Sequence, residues 1–171
     1  TIVLYDYGIS EDQRLYHVME LLEGFDADAL VSRFGAVSPA RAVHLLGGVC
    51  ESLAEAHEAG LIHRDIKPAN VFVCRYGRDV DHVKVLDFGL VKAKPSLDET
   101  QLQLTSRDVV GGTPAYMAPE QVLGTSPVDA RTDIYAVGCL GYWLLTGHMV
   151  FDDGSVMKVL MDHVQTPPAS P

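Results

Sequence analysis

An aspartate, a lysine and an asparagine stand together in "HRDIKPAN", residues 63 to 70, and a second aspartate follows at position 87, directly before "FG". Asp65, Lys67, Asn70 and Asp87 are the residue types that the handling of a magnesium-bound phosphate requires. Such chemistry asks little covalent work of a protein. It needs metal ions on the phosphates, a carboxylate to orient the attacking hydroxyl, and a cation against the charge in transit. Taken singly, each aspartate reads as an ordinary turn or cap residue, and few structural roles need all four side chains together.

The elements around these residues can be read from pattern. "TIVLYDYG" and "RLYHVMELL" are rich in β-branched and aromatic residues and are separated by the polar "ISEDQ", which predicts an antiparallel hairpin. "ADALVSRFG" is a short helix by composition. Ser38 and Pro39 then open a longer helix as a cap residue followed by proline at the first position. Val43, Leu46, Cys50, Leu53 and His57 recur in steps of three and four, which predicts its apolar-leaning face, and Gly60 ends it as a C′ glycine. "NVFVC" and "HVKVLDF" are strand-like and joined by the turn "RYGRDVD", so the four residues sit at strand ends. From Val91 to Val110 periodicity is lost, and a loop this long inside a compact domain reads as a mobile regulatory segment. Beyond it come a short helix at "APEQVLG", a buried one at "ARTDIYAVGCLGYWLLTG" and an amphipathic one at "SVMKVLMDHV". Tyr142 and Trp143 belong to the core of the buried helix, and "QTPPASP" cannot continue the last one.

Size and composition fit one folded unit: 171 residues, 47% apolar and 21% charged. The net charge of −10 argues against a nucleic-acid partner, which would require a positive field. Cys50, Cys74 and Cys139 are odd in number and widely spaced, which fits neither a disulfide framework nor a metal knuckle and points to a reducing, cytoplasmic setting. His57 and His63 lack the spacing of a zinc pair. The longest apolar run, Ile134 to Gly147, is shorter than the ~20 residues that cross a bilayer, so no membrane segment is expected here.

"HRDIKPAN", "DFG" at 87 to 89 and "GTPAYMAPE" at 112 to 120, in this order, make the sequence resemble the eukaryotic-like (Hanks-type) serine/threonine protein kinases, bacterial members in particular. The resemblance implies an α+β, two-lobed kinase fold, with residues 1–24 as the end of the small lobe and hinge and 25–171 as an incomplete large lobe. It implies Mg2+ and ATP as cofactors and a protein serine or threonine as acceptor. Asp65 would orient the acceptor hydroxyl, Lys67 would stabilise the γ-phosphate, and Asn70 and Asp87 would hold magnesium. Thr113 would bridge Asp65 and Lys67, while His63 and Phe88 would pack the catalytic loop on the "DFG" strand. On the nucleotide side Met19 falls at the gatekeeper position, and Glu20 to Leu22 at the hinge that binds adenine through backbone groups. Asp26 is a candidate ribose contact, and Phe72 a candidate floor for the adenine. Glu120 would pair with an arginine from a later helix, and Asp133 would tie the backbone of the catalytic loop. Arg64 implies activation by a phosphate on the following loop, with Thr105 and Ser106 as candidate acceptors and Thr100 behind them. Lys67, two residues after Asp65, and "GTPAY" match the serine/threonine branch.

The departures matter as well. The chain opens on Thr1, and no Gly-rich loop, strand lysine or helix glutamate precedes "TIVLYDYG". The expectation is therefore a fragment from the middle of the family's domain that binds ATP weakly on its own, the parent being anchored to a membrane through a segment elsewhere if at all. Two functions follow: a protein kinase, supported by the intact Asp65, Lys67, Asn70 and Asp87, or a pseudokinase-like binding module, supported by the missing nucleotide clamp.

Overall fold

The computed structural model describes residues 2–87, 114–124, 127–152 and 154–171. The hairpin forms as the sequence indicates, with β1 (Leu4–Ile9) antiparallel to β2 (Leu15–Met19). Ser10 closes the turn: its backbone N–H donates to Arg14 O at 2.8 Å, and its carbonyl accepts from Gln13 N at 2.9 Å. A second sheet has the order β3 (Gly24–Asp26), β4 (Val71–Tyr76), β5 (Asp79–Val85), all antiparallel. The strand β3 is too short to show a pattern and was not expected. Gly24 permits it, because a Cβ at that position would stand 2.1 Å from Val73 O.

Asp26 ends β3 and caps α1 (Ala27–Phe34), its Oδ1 accepting from Ala29 N at 2.6 Å. Ser38 caps α2 (Pro39–Glu58). That helix closes in a Schellman motif: Gly60, at φ +76°, donates to His57 O, and Leu61 N donates to Ala56 O, both at 2.9 Å. The buried stripe of α2 is Ala42, Leu45, Val49, Leu53 and Ala56, one residue off the expected face, and Val43 is 70% exposed. Leu53 alone is common to the two stripes. The reason is that α2 lies against both β5 and α4 (Ala130–Thr146), so apolar residues occur around more than one side and spacing alone does not select between neighbouring stripes.

The core is continuous through α1, α2, β4, β5 and α4, with Leu45, Val49, Leu53, Ile66, Val71, Val85, Leu140 and Leu144 almost completely enclosed. The remaining helices, α3 (Pro119–Leu123) and α5 (Val156–Gln165), pack on each other. Glu120 on α3 accepts from Thr132 Oγ1 of α4 at 2.5 Å, which ties these two helices. The mixture of helices with small antiparallel sheets is the α+β class the sequence indicates. Among the described residues no helix is long and apolar enough to cross a membrane.

Candidate active site

The Schellman end of α2 releases the chain into residues 62–67, and the side chains of Asp133 and Gln121 then fix its backbone. Asp133, on the first turn of α4 and 1% exposed, accepts from His63 N at 2.9 Å, from Arg64 N at 2.7 Å, and makes a 2.7 Å bond with His57 Nε2. Arg64 O accepts from Gln121 Nε2 of α3 at 3.3 Å. Arg64 adopts φ +68°, a left-handed conformation that costs free energy in a non-glycine residue and persists only where its surroundings impose it. Asp133 and Gln121 are those surroundings.

The His63 ring is wholly buried and joins two segments of the site. Its Nδ1 accepts from Asp65 N at 3.2 Å, which leaves the proton on Nε2, and Nε2 donates to Leu86 O at 2.8 Å. The ring thereby joins the backbone at Asp65 to the residue immediately before Asp87.

Asp65, Lys67 and Asn70 converge. Lys67 Nζ donates to Asp65 Oδ2 at 2.8 Å, and Asn70 Nδ2 donates to Asp65 O at 2.8 Å and to Oδ2 at 3.2 Å. Asn70 closes a 3-10 turn over Pro68–Asn70 and is buried, whereas the Asp65 and Lys67 side chains keep about a quarter of their surface in solvent. Leu86 N donates to Asn70 O at 2.8 Å, so Asn70 and the Asp87 segment run side by side. Asp87 is exposed at φ +53°, the second strained non-glycine residue flanking the site. A carboxylate aligned by a cation and an amide, with a second carboxylate one backbone link away, can orient a hydroxyl and gather a phosphate-bound cation.

The residues expected on the nucleotide side lie on the strands and in the connection between β2 and β3. Met19 ends β2 and Leu22 is half-buried in the connection to β3. Asp26 is paired with Phe72, and Phe72 with Lys84, so these three side chains share one face of the second sheet. Glu20 N donates to Val3 O at 3.1 Å, while its carboxylate accepts from Lys84 Nζ and from Val3 N, each at 2.8 Å. Lys84 foremost, then the Val3 N–H, hold the Glu20 carboxyl below its ordinary value. Burial pushes the Cys139 thiol up to about 12, so it is no nucleophile. Thr113, Phe88, Thr100, Thr105 and Ser106 lie outside the described residues, as does the segment expected from 91 to 110.

The family description "Protein kinase domain" matches residues 1–168. The chain belongs to the protein kinase family. A serine/threonine-protein kinase of Myxococcus xanthus is 40% identical over 171 residues, 100% of this chain and 31% of that protein. One of Mycobacterium tuberculosis is 36% identical over 173 residues, covering 99% of this chain and 26% of that protein. A probable one of Corynebacterium glutamicum is 41% identical over 156 residues, 91% and 23% of the two lengths. The chain thus spans less than a third of the length of these curated relatives.

Within the protein kinase family, the sequence motifs bring out Asp65, Lys67 and Asn70 and, among their supports, His63 and Asp133, whose contacts the structure shows, but other supports escape them. The sequence leaves His57 as a packed or hydrogen-bonded residue without naming Asp133 as its partner, and no motif singles out Gln121 or Lys84. Lys84 left a signal: it is the one charged side chain in "VKV", where Val83, Lys84 and Val85 are all buried.

Proposed function

We propose that this chain carries the transfer centre of a serine/threonine protein kinase, which moves the γ-phosphate of Mg-ATP to a serine or threonine hydroxyl of a protein substrate. The observation that carries the reading is the convergence of Lys67 Nζ and Asn70 Nδ2 on the Asp65 carboxylate, with His63 linking that loop to the Asp87 segment. Asp65 holds the acceptor hydroxyl by its proton and aims its oxygen in line with the γ-phosphorus. Lys67 keeps Asp65 oriented in the resting state and, from the same position, offers its ammonium to the phosphoryl oxygens during transfer.

The donor set fits Mg2+. Asn70 spends its amide N–H on Asp65, which leaves its carbonyl Oδ1 as a hard oxygen ligand, and Asp87 presents an exposed carboxylate beside it. Magnesium takes one or two protein oxygens and completes its shell with water and substrate phosphates. It supplies charge neutralisation on those phosphates. Adenine is held by the Glu20 carbonyl and the Leu22 N–H next to Met19, over Phe72, with Asp26 toward the ribose.

Asp65→Asn in the intact natural protein tests the reading. It keeps the size of the side chain and its contact with Lys67 but loses the base, so transfer to a protein substrate should fall by about a hundredfold or more while ATP affinity changes little. Undiminished transfer in the variant refutes the role of Asp65. No transfer in the wild-type protein, with nucleotide bound, favours the binding-module reading.

A further inference from the structure

Glu20 and Lys84 form another enclosed charge pair, which joins the segment after β2 to the strand that leads into Asp87. Lys84 leaves only 10% of its side chain exposed and Glu20 15%, their contact is 2.8 Å, and the Lys84 ammonium also lies 5.3 Å from the centre of the Tyr76 ring. Desolvating two charges is costly, so a pair this enclosed holds its geometry only where both partners are fixed. Both are. Lys84 is a buried β5 residue paired with Phe72, and Glu20 is bound to Val3 twice, through its backbone N–H and through its carboxylate.

The segment that Glu20 begins has little else to hold it. Residues 20–23 connect the hairpin to the second sheet without regular structure, and Leu21 is 99% exposed. β5, in turn, leads within two residues of its end into Asp87.

We propose that Glu20 and Lys84 form a latch that fixes residues 20–22 against β5, and that Lys84 is thereby a positioning residue for nucleotide binding. The second half rests on the reading of the Glu20–Leu22 backbone as the adenine contact. Mechanistically, the latch raises the fraction of molecules whose segment 20–22 is ready to receive the base. Apparent affinity scales with that fraction. The latch also ties the adenine-facing backbone to the strand that leads into the Asp87 segment, so the two move as a unit.

The test separates the latch from general stability and from the functional reading. In this chain, Lys84→Met should speed amide hydrogen exchange at Val3 and Glu20, whose N–H groups bond to each other's residue, by about tenfold while amides of α4 keep their protection. In the intact natural protein the same change should raise the KM for ATP about three- to tenfold and leave kcat within about twofold. Lys84→Arg, which retains the charge, should restore both. Adding Glu20→Gln to Lys84→Met should cost less than about twofold more, because the two side chains act as one unit. If Lys84→Met does not fold, Glu20→Gln, which keeps the acceptor for Val3 N, carries the same expectation for exchange.

The proposal is overturned if exchange at Val3 and Glu20 is unchanged, or if it rises equally through α4, which is the mark of a merely structural pair. A local rise in exchange with an unchanged KM for ATP overturns the positioning role. A local rise in a protein that transfers no phosphate supports the latch and shows instead that the transfer reading has failed.

Discussion

Asp133 shows how much a single buried carboxylate can organise. It is 1% exposed, and its two oxygens serve two consecutive backbone N–H groups and a histidine ring. Together with Gln121 of α3 it holds Arg64 at φ +68°. Replacing it with alanine would leave His63 N and Arg64 N without acceptors in a closed site, each at a cost of about 1–3 kcal/mol. Asp133→Ala should therefore lose about 2–5 kcal/mol of unfolding free energy in urea titrations, and Asp133→Asn less, since one acceptor oxygen remains. A loss below about 1 kcal/mol for Asp133→Ala would show that water replaces the carboxylate without strain. At this scale the sequence was most legible where chemistry restricts the choice of residue. Asp65, Lys67 and Asn70 meet as the spacing of "HRDIKPAN" indicates, because a loop of that length leaves few ways to arrange them. The supports were less legible: Gln121 and Lys84 act through geometry set by elements distant in sequence, and no local pattern encodes it.

The ends of helices aim the site more than their middles do. Ser38 and Pro39 start α2 and Gly60 stops it, and both boundaries could be read because capping chemistry is local. Its interior could not. The stripe that faces the core differs from the expected one by a single residue, about 100° of rotation, because a helix packed between a sheet and another helix carries apolar residues on several sides. The short β3 was illegible for a related reason: it exists through contact with β4, made possible by the absence of a side chain at Gly24. Gly60 offers the direct test of the C-terminal boundary. At φ +76° an alanine meets its own carbonyl, and Gly60→Ala should destabilise the chain by about 1–2 kcal/mol, with Gly60→Asn milder. Thermal unfolding of the three forms checks the order. Equal stabilities would mean that the chain can leave α2 by another route, and the path into residues 62–67 would not depend on this turn.

Across the whole molecule, one buried histidine links the second half of the chain to stability against acid. His163 on α5 is 5% exposed; it accepts from the Tyr135 hydroxyl of α4 at 2.7 Å through Nδ1, and the Phe151 ring stands edge-on to it with centroids 4.9 Å apart. Burial lowers its pKa from the ordinary histidine value, while the Ala115 carbonyl and the neighbouring Asp162 act in the opposite direction without prevailing. The sign follows. In the unfolded chain this histidine takes up its proton near pH 6.5, before the folded one does, so its contribution is fully present above about pH 6.5 and is lost as pH falls through the lower folded value. His163→Gln keeps an amide oxygen for Tyr135 but does not titrate. Wild type should therefore lose more thermal stability than the variant between pH 7.5 and pH 5.5, and the excess loss should concentrate where α5 meets Pro114–Tyr116. Comparing the two proteins at each pH removes the contribution of the chain's other six histidines. Parallel losses in wild type and His163→Gln would show that His163 takes its proton without leaving its place between α4 and Phe151, and that the coupling of α5 to Pro114–Tyr116 does not depend on its charge.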